Sequence, residues 1–395
     1  MSTFRTAFFC VVAVALGTAM RDASSAPLST ASSAPAASSS STAPRMMSRD
    51  EVVRIIDNTR KIVSPNGVDE RIKLRIGGID QWLSIRGHDR RNPILLFIHG
   101  GPASVVMPVS YTFQTPWEDY FTVVQWDQRG AGKTYAANSE AQMAPGMNVD
   151  DMTRDAEQVV QYLRAHYGKQ KIFVLGHSWG TVLGTRLARQ HPDWLHAYIG
   201  VGQVVNMRRN EALGFDFALR EARADHNEEA VRELQALQPY PGDEPLTLAR
   251  MATRSKWETW YGGVAYGRHD FSWYADAWGL SPDYDQREID AIGKGSLFTL
   301  DHLLQPLIDL DLDDVTEFHC PVILFVGQHD QTTSHELAEQ WFEHVHAPSK
   351  RMVLFADSAH MPMQEQPGRF LMHLVTDALP FAREAGDIAP DEVVR

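Results

Sequence analysis

The chain has 395 residues, 44% of them apolar and 22% charged, which is an ordinary globular composition. With 37 basic against 50 acidic residues the formal net charge is −13, so the surface repels phosphate, and neither a nucleic acid nor an anionic membrane is an expected partner. The two cysteines, Cys10 and Cys320, leave no internal disulfide framework and no cysteine zinc site, because Cys10 lies in a removable leader.

Arg5 precedes an apolar run over residues 7–19 that is short for a bilayer span but suits a signal-peptide core. Residues 1–22 are expected to be a signal peptide or, if retained, an anchor through residues 7–20. Residues 23–47 are rich in Ser, Ala, Thr and Pro and cannot bury enough apolar surface to order, so a disordered linker is expected there. The expectation is an exported protein, periplasmic or secreted, with no membrane span in its mature form.

Order is expected from residue 48. Ser48-Arg49-Asp50-Glu51 is a capping box opening a helix whose apolar face is Val52, Ile55, Ile56 and Ile62. Alternation over residues 71–86 around Gly77-Gly78 predicts an antiparallel hairpin. Continuous apolar runs follow at 94–98, 122–124, 172–175, 322–326 and 352–355. Runs without alternation fit parallel strands buried on both faces. Met152, Val159, Val160 and Leu163 recur at helical spacing between the second and third runs, so strands alternate with helices around a mostly parallel sheet. Residues 206–300 break this rhythm with helix-like segments and Trp257, Trp260, Trp273 and Trp278. They are expected to form a helical cap between a first core part, 48–205, and a second, 301–395.

The strongest motif is Gly176-His177-Ser178-Trp179-Gly180, set between the run at 172–175 and a helical stretch. Strand, sharp turn and helix are the setting in which this pattern lifts a serine hydroxyl above a sheet edge. An activated serine needs a base, and the base an orienting acid, here in the order Ser, acid, His. Asp330 closes the run at 322–326 and His360 follows the run at 352–355. Asp357 competes for the acid role and His329 for the base role. Asp357, three residues before His360, suits a loop brace better, and His329 sits beside the acid. For the oxyanion, donors are expected from the backbone of Trp179 and of Gly101 in His99-Gly100-Gly101-Pro102, with Pro102 a site for a cis bond. Gly130-Ala131-Gly132-Lys133-Thr134 fails as a phosphate loop because Asp127 stands where a glycine is required. Gly200-Val201-Gly202 lacks the third glycine of a dinucleotide fingerprint, and His335, His344 and His346 lack the spacing of a zinc motif. No cofactor or metal is expected.

Together the His99-Gly100-Gly101-Pro102 loop, the Asp127-Gln128-Arg129-Gly130 turn, the serine elbow, Gly327-Gln328-His329-Asp330 and His360 resemble the proline iminopeptidases among the α/β-hydrolases. The resemblance spans roughly residues 50–385. It implies an α/β-hydrolase fold and a serine peptidase releasing N-terminal proline, with Ser178, Asp330 and His360 as triad and Gly101 and Trp179 at the oxyanion hole. It also implies structural roles for Asp127 and Arg129. Ala103 departs from the glycine common after His-Gly-Gly-Pro. The family holds the substrate ammonium with cap carboxylates, for which Glu258 and Glu211 are the candidates here, with a solvated helix face as the alternative for each; Trp257 and Trp260 are candidates for an apolar slot or, equally, for cap core. An esterase or carbon–carbon bond hydrolase of the same fold is the alternative, with a peptide or small molecule as partner. The oligomeric state is not legible. An epoxide or haloalkane hydrolase would carry Asp at the position of Ser178, and a noncatalytic module would have lost a triad member.

Overall fold

A computed structural model describes residues 46–390. The expected leader and almost all of the expected linker lie outside the described residues. Among the described residues no helix is long and apolar enough to cross a membrane.

The core is one eight-stranded sheet in the order β1-β2-β4-β3-β5-β6-β7-β8. β1 (Val68–Ile76) and β2 (Ile79–Gly87) form the expected hairpin, turning at Gly77-Gly78 with Ile76 opposite Ile79. β2 is antiparallel to β4 (Thr122–Asp127). From there β3 (Ile94–Ile98), β5 (Ile172–His177), β6 (Leu195–Val201), β7 (Val322–Gly327) and β8 (Lys350–Phe355) run parallel. The unbroken apolar runs have a direct cause. Ile94, Leu96 and Ile98 enter the core on one face of the sheet, while Leu95 and Phe97 enter a second core on the other, as a doubly covered sheet demands. β8 departs from this, because as an edge strand it keeps Leu354 45% exposed. β6 is absent from the sequence expectation because His196 and Gly200 interrupt its apolar run; both are buried within the strand.

Helix Val149–Tyr167 begins at Asn148, whose side chain accepts from the Asp151 amide, and buries Met152, Val159, Val160 and Leu163 as its spacing predicts. The first helix, Arg49–Thr59, has the expected capping box but no buried residue, and Ile55 is 48% exposed. Ion pairs and a hydrogen bond to backbone hold its end of the chain instead of an apolar face. Arg60 meets buried Asp283 with two hydrogen bonds of 2.8 and 2.9 Å, Arg71 reaches Asp283 at 2.7 Å, and Arg49 donates to the Gly279 carbonyl at 2.8 Å. Burial opposes the Asp283 charge, but the two guanidinium groups outweigh it and lower its pKa.

Between β6 and β7 lie helices Met207–Ala224, Glu228–Gln235, Leu248–Trp260, Ser272–Gly279 and Gln286–Ile308, the last running past residue 300. Part of this layer has its own small core, built on Phe215, Leu219, Leu234 and Trp257.

Candidate active site

Every group of the expected triad follows the carboxyl end of a parallel strand, where open α/β sheets place their ligands. Ser178 sits between β5 and helix Trp179–Gln190 with φ 53° and ψ −123°, a strained conformation for a residue with a side chain. Its amide donates to the Val201 carbonyl at 2.9 Å, which ties the turn to the end of β6. The elbow glycine at 180 is fixed by close approach, since a Cβ there would lie 2.0 Å from the Ile98 carbonyl oxygen. Gly202 makes room in the same way at the end of β6. A Cβ there would stand 2.8 Å from His360 Cε1, so the imidazole lies against the strand end that anchors Ser178.

Asp330 and His360 are brought together by the ends of β7 and β8, with His360 Nδ1 2.8 Å from Asp330 Oδ2. The same carboxylate accepts from the amides of Thr332 and Thr333, each at 2.9 Å, and from the Thr333 hydroxyl at 2.9 Å. Both side chains are buried. A carboxylate held by several donors faces the imidazole in a fixed orientation. The competing residues are engaged elsewhere. Asp357 is exposed and contacts Gln366, while His329 stacks on Tyr266 with ring centroids 3.9 Å apart.

The loop after β3 carries a cis Gly101–Pro102 bond and places Ala103 at φ 63°. The alanine thus adopts the left-handed conformation that glycine takes without cost. A buried network joins this loop to the elbow. Gln128 Nε2 donates to the His99 carbonyl at 2.8 Å and Gln128 Oε1 accepts from Trp179 Nε1 at 3.1 Å. Burial lowers the His99 pKa to about 4, so its ring stays neutral. Burial, with His360 nearby, likewise lowers that of His177 to about 3, and His177 Nε2 lies 2.8 Å from the His360 carbonyl oxygen as its donor. Arg129 pairs with buried Asp155 at 3.0 Å, and Asp127 accepts from the Lys133 amide at 2.8 Å and from Tyr284.

Ser178, Gly101 and Trp179 border one cavity of ≈ 80 Å³. That is far below the roughly 300–1,000 Å³ of a site enclosing a drug-sized ligand, so it admits one compact group. Val204, Met207, Met251 and Leu307 supply apolar walls, and Glu211, Arg254 and Thr332 supply polar ones.

Glu211 and Glu258 are each 1% exposed, and both pair with Arg254. Glu211 also accepts from Tyr240. Glu258 is not among the lining residues; its other oxygen accepts from the Thr332 hydroxyl at 2.6 Å, facing the acid loop. Burial opposes the charge of Arg254, but Glu211 outweighs it and raises its pKa.

The tryptophan slot does not form. Trp257 packs into the helical layer's own core with its Nε1 donating to Glu233 at 2.9 Å, and Trp260 is 45% exposed. Neither lines the cavity. On helix Leu248–Trp260, Trp257 is buried in the helical layer's own core, while Arg254 and Glu258 meet Glu211 and Thr332. Arg254 and Thr332 are absent from the expected site. The available signals were the four-residue spacing of Arg254 and Glu258 on a helix and the threonines after an aspartate in a loop.

With an eight-stranded sheet, a strained serine between strand and helix and a buried Asp–His pair on neighbouring strand ends, the chain belongs to the α/β-hydrolase fold family, whose model matches residues 93–367. It is 31% identical over 301 residues to the Bacillus subtilis protein named "Probable aminopeptidase YbaC", covering 75% of this chain and 92% of that one. A Leptolyngbya boryana protein named "Probable proline iminopeptidase" is 24% identical over 303 residues, covering 70% of this chain and 84% of its own length. The crystal structure of a Mycobacterium smegmatis proline iminopeptidase superposes with a TM-score of 0.57 at 17% identity, over 80% of this chain and 100% of that chain, and shares its fold.

Proposed function

We propose that this chain is a serine aminopeptidase that releases an N-terminal residue, proline or one of similar size, from a peptide. The observation that carries this reading is a small cavity bordered by Ser178 and by Glu211, beside a buried Asp330–His360 pair. Ser178 Oγ attacks the carbonyl of the first residue while His360 takes its proton, and Asp330 stabilises the imidazolium. The amides of Gly101 and Trp179 stabilise the oxyanion. The carbon–nitrogen bond then breaks, His360 gives the proton to the leaving amine, and water releases the acyl group from Ser178 by the same route. Glu211 faces the substrate ammonium; with Glu258 and Arg254 it forms a buried cluster of two negative charges and one positive. The names borne by the Bacillus and Leptolyngbya relatives support the same reading.

The test compares a free prolyl arylamide, its N-acylated form and a simple aryl ester. We expect the free amine to be cleaved at least about 10²-fold faster than the blocked form, because acylation removes the positive charge that would offset the excess carboxylate of the Glu211–Arg254–Glu258 cluster. Equal cleavage points to the esterase or carbon–carbon bond hydrolase reading, which Arg254 favours by cancelling part of the carboxylate field. Export is a further part of the proposal, motivated by Arg5 and the apolar run at 7–19. N-terminal sequencing of the protein from its native host checks it, and an intact leader on cytosolic protein contradicts it.

A further inference from the structure

His360 stands in the loop between β8 and the short helix Pro362–Glu365. Three consecutive backbone amides there need acceptors, and none belongs to a strand ladder or a helix. The His360 amide donates to the Val264 carbonyl in the helical layer at 3.0 Å. The amides on either side go to one carboxylate: Ala359 donates to Glu365 Oε2 at 3.0 Å and Met361 donates to the same oxygen at 3.0 Å. The Ser358 hydroxyl adds a donor to Oε2 at 2.6 Å, and the Tyr266 amide donates to Oε1 at 2.6 Å.

We propose that Glu365 is a positioning residue for His360, bracketing the imidazole-bearing residue from both sides and clamping its loop to residues 264–266 of the helical layer. The proposal rests on the reading that His360 activates Ser178. A carboxylate is the one side chain that can serve this role, because it offers about four lone-pair sites and no donor of its own. Charge-assisted hydrogen bonds of this kind are also the stronger ones. The amide of Gln presents one acceptor oxygen in place of two, so a substitution that preserves shape still releases part of the loop. General-base catalysis is sensitive to such release, since a shift of about 1 Å costs about 10²-fold in rate.

The experiment uses the full chain and a fluorophosphonate probe, which modifies an activated serine without needing an ammonium group. Wild type labels at Ser178 and Ser178→Ala does not; any other result overturns the triad reading and this proposal with it. Given that result, we expect Glu365→Gln to label about 10-fold more slowly and Glu365→Ala about 10²-fold more slowly. The midpoint of the labelling pH profile should also move, since an imidazole released from its loop no longer meets Asp330 in the same geometry. Folded variants that label within twofold of wild type, with an unchanged pH midpoint and only a lower thermal midpoint, overturn the positioning role and leave the triad standing. Should neither Glu365 variant fold, Ser358→Ala removes a single donor to the same carboxylate. A rate within experimental error of wild type for Ser358→Ala then overturns the proposal, and a threefold or greater slowing supports it.

Discussion

Asp330 and Glu211 are both buried carboxylates near Ser178, and they are held in opposite ways. Asp330 sits at a strand end and takes the amides of Thr332 and Thr333, which follow it directly in the chain, so its neighbours are local. Glu211 sits on a helix and is held by Arg254 and Tyr240, distant in sequence and carried by another part of the helical layer. The first is oriented by backbone and faces one imidazole. The second is neutralised by a guanidinium that it shares with Glu258. The strand end thus holds its carboxylate in a geometry fixed by adjacent backbone, whereas the helical layer holds its carboxylates in a balance of charge.

Four substitutions or conditions press on that difference. Asp330→Asn should act almost wholly on turnover, lowering kcat about 10⁴-fold by favouring the wrong imidazole tautomer. Steady-state kinetics on the prolyl arylamide measures it, and a loss below tenfold removes Asp330 from the acid role. Arg254→Met should act chiefly on stability, costing about 3–5 kcal/mol because two buried carboxylates lose their partner. Urea unfolding reads this; an unchanged midpoint with abolished turnover would assign the guanidinium to the chemistry instead.

The third test uses pH. His99 and His177 have pKa values lowered by burial to about 4 and about 3, below those of the unfolded chain. Below about pH 6.5 the unfolded chain therefore binds more protons, and stability present at neutral pH falls as the solution is acidified toward about 4. Asp127, raised by burial to about 7, binds its proton earlier in the folded state and opposes the histidines' contribution, as do Asp155 and Glu365, whose pKa values burial also raises. His177→Gln should flatten the slope of unfolding free energy by about 1.4 kcal/mol per pH unit within that window. An unaltered slope would mean that His177 does not stay neutral. The smallest effect is expected from Ala103→Gly. Relief of the left-handed backbone favours it, while the lost buried methyl and greater chain freedom oppose it, so the net shift should stay within about 1 kcal/mol. A larger gain in the urea midpoint would show that the loop after β3 is more strained than φ 63° implies.

The same local-against-distant division explains what the sequence revealed. The strand-end positions of Ser178, Asp330 and His360 were legible because each follows a strand that announces itself as an apolar run. The hairpin at Gly77-Gly78 and the helix capped by Asn148 were legible for the same local reason. β6 was not, because His196 interrupts its apolar run and is buried against Phe173 and distant Asp387, which it meets at 2.9 Å. Trp257 and Trp260 stayed ambiguous between an apolar slot and cap core, because composition says that a segment is aromatic but not which way a helix turns; Trp257 is core and Trp260 is 45% exposed. Glu258 was singled out from its type, yet its contacts with Arg254 and Thr332 depend on how the helical layer meets the loop after β7.

The buried Asp283 bears on how far the polypeptide can be shortened. Its charge is compensated by Arg60 and Arg71, which precede the parallel strands, although it lies beyond most of the helical layer. A form of the protein beginning at residue 62 would keep every strand of the sheet together with Ser178, Asp330 and His360 but leave Asp283 only Arg71, itself partly open to solvent. The minimal folding unit therefore starts before the sheet does, and its boundary is set by an electrostatic debt on a segment more than two hundred residues downstream.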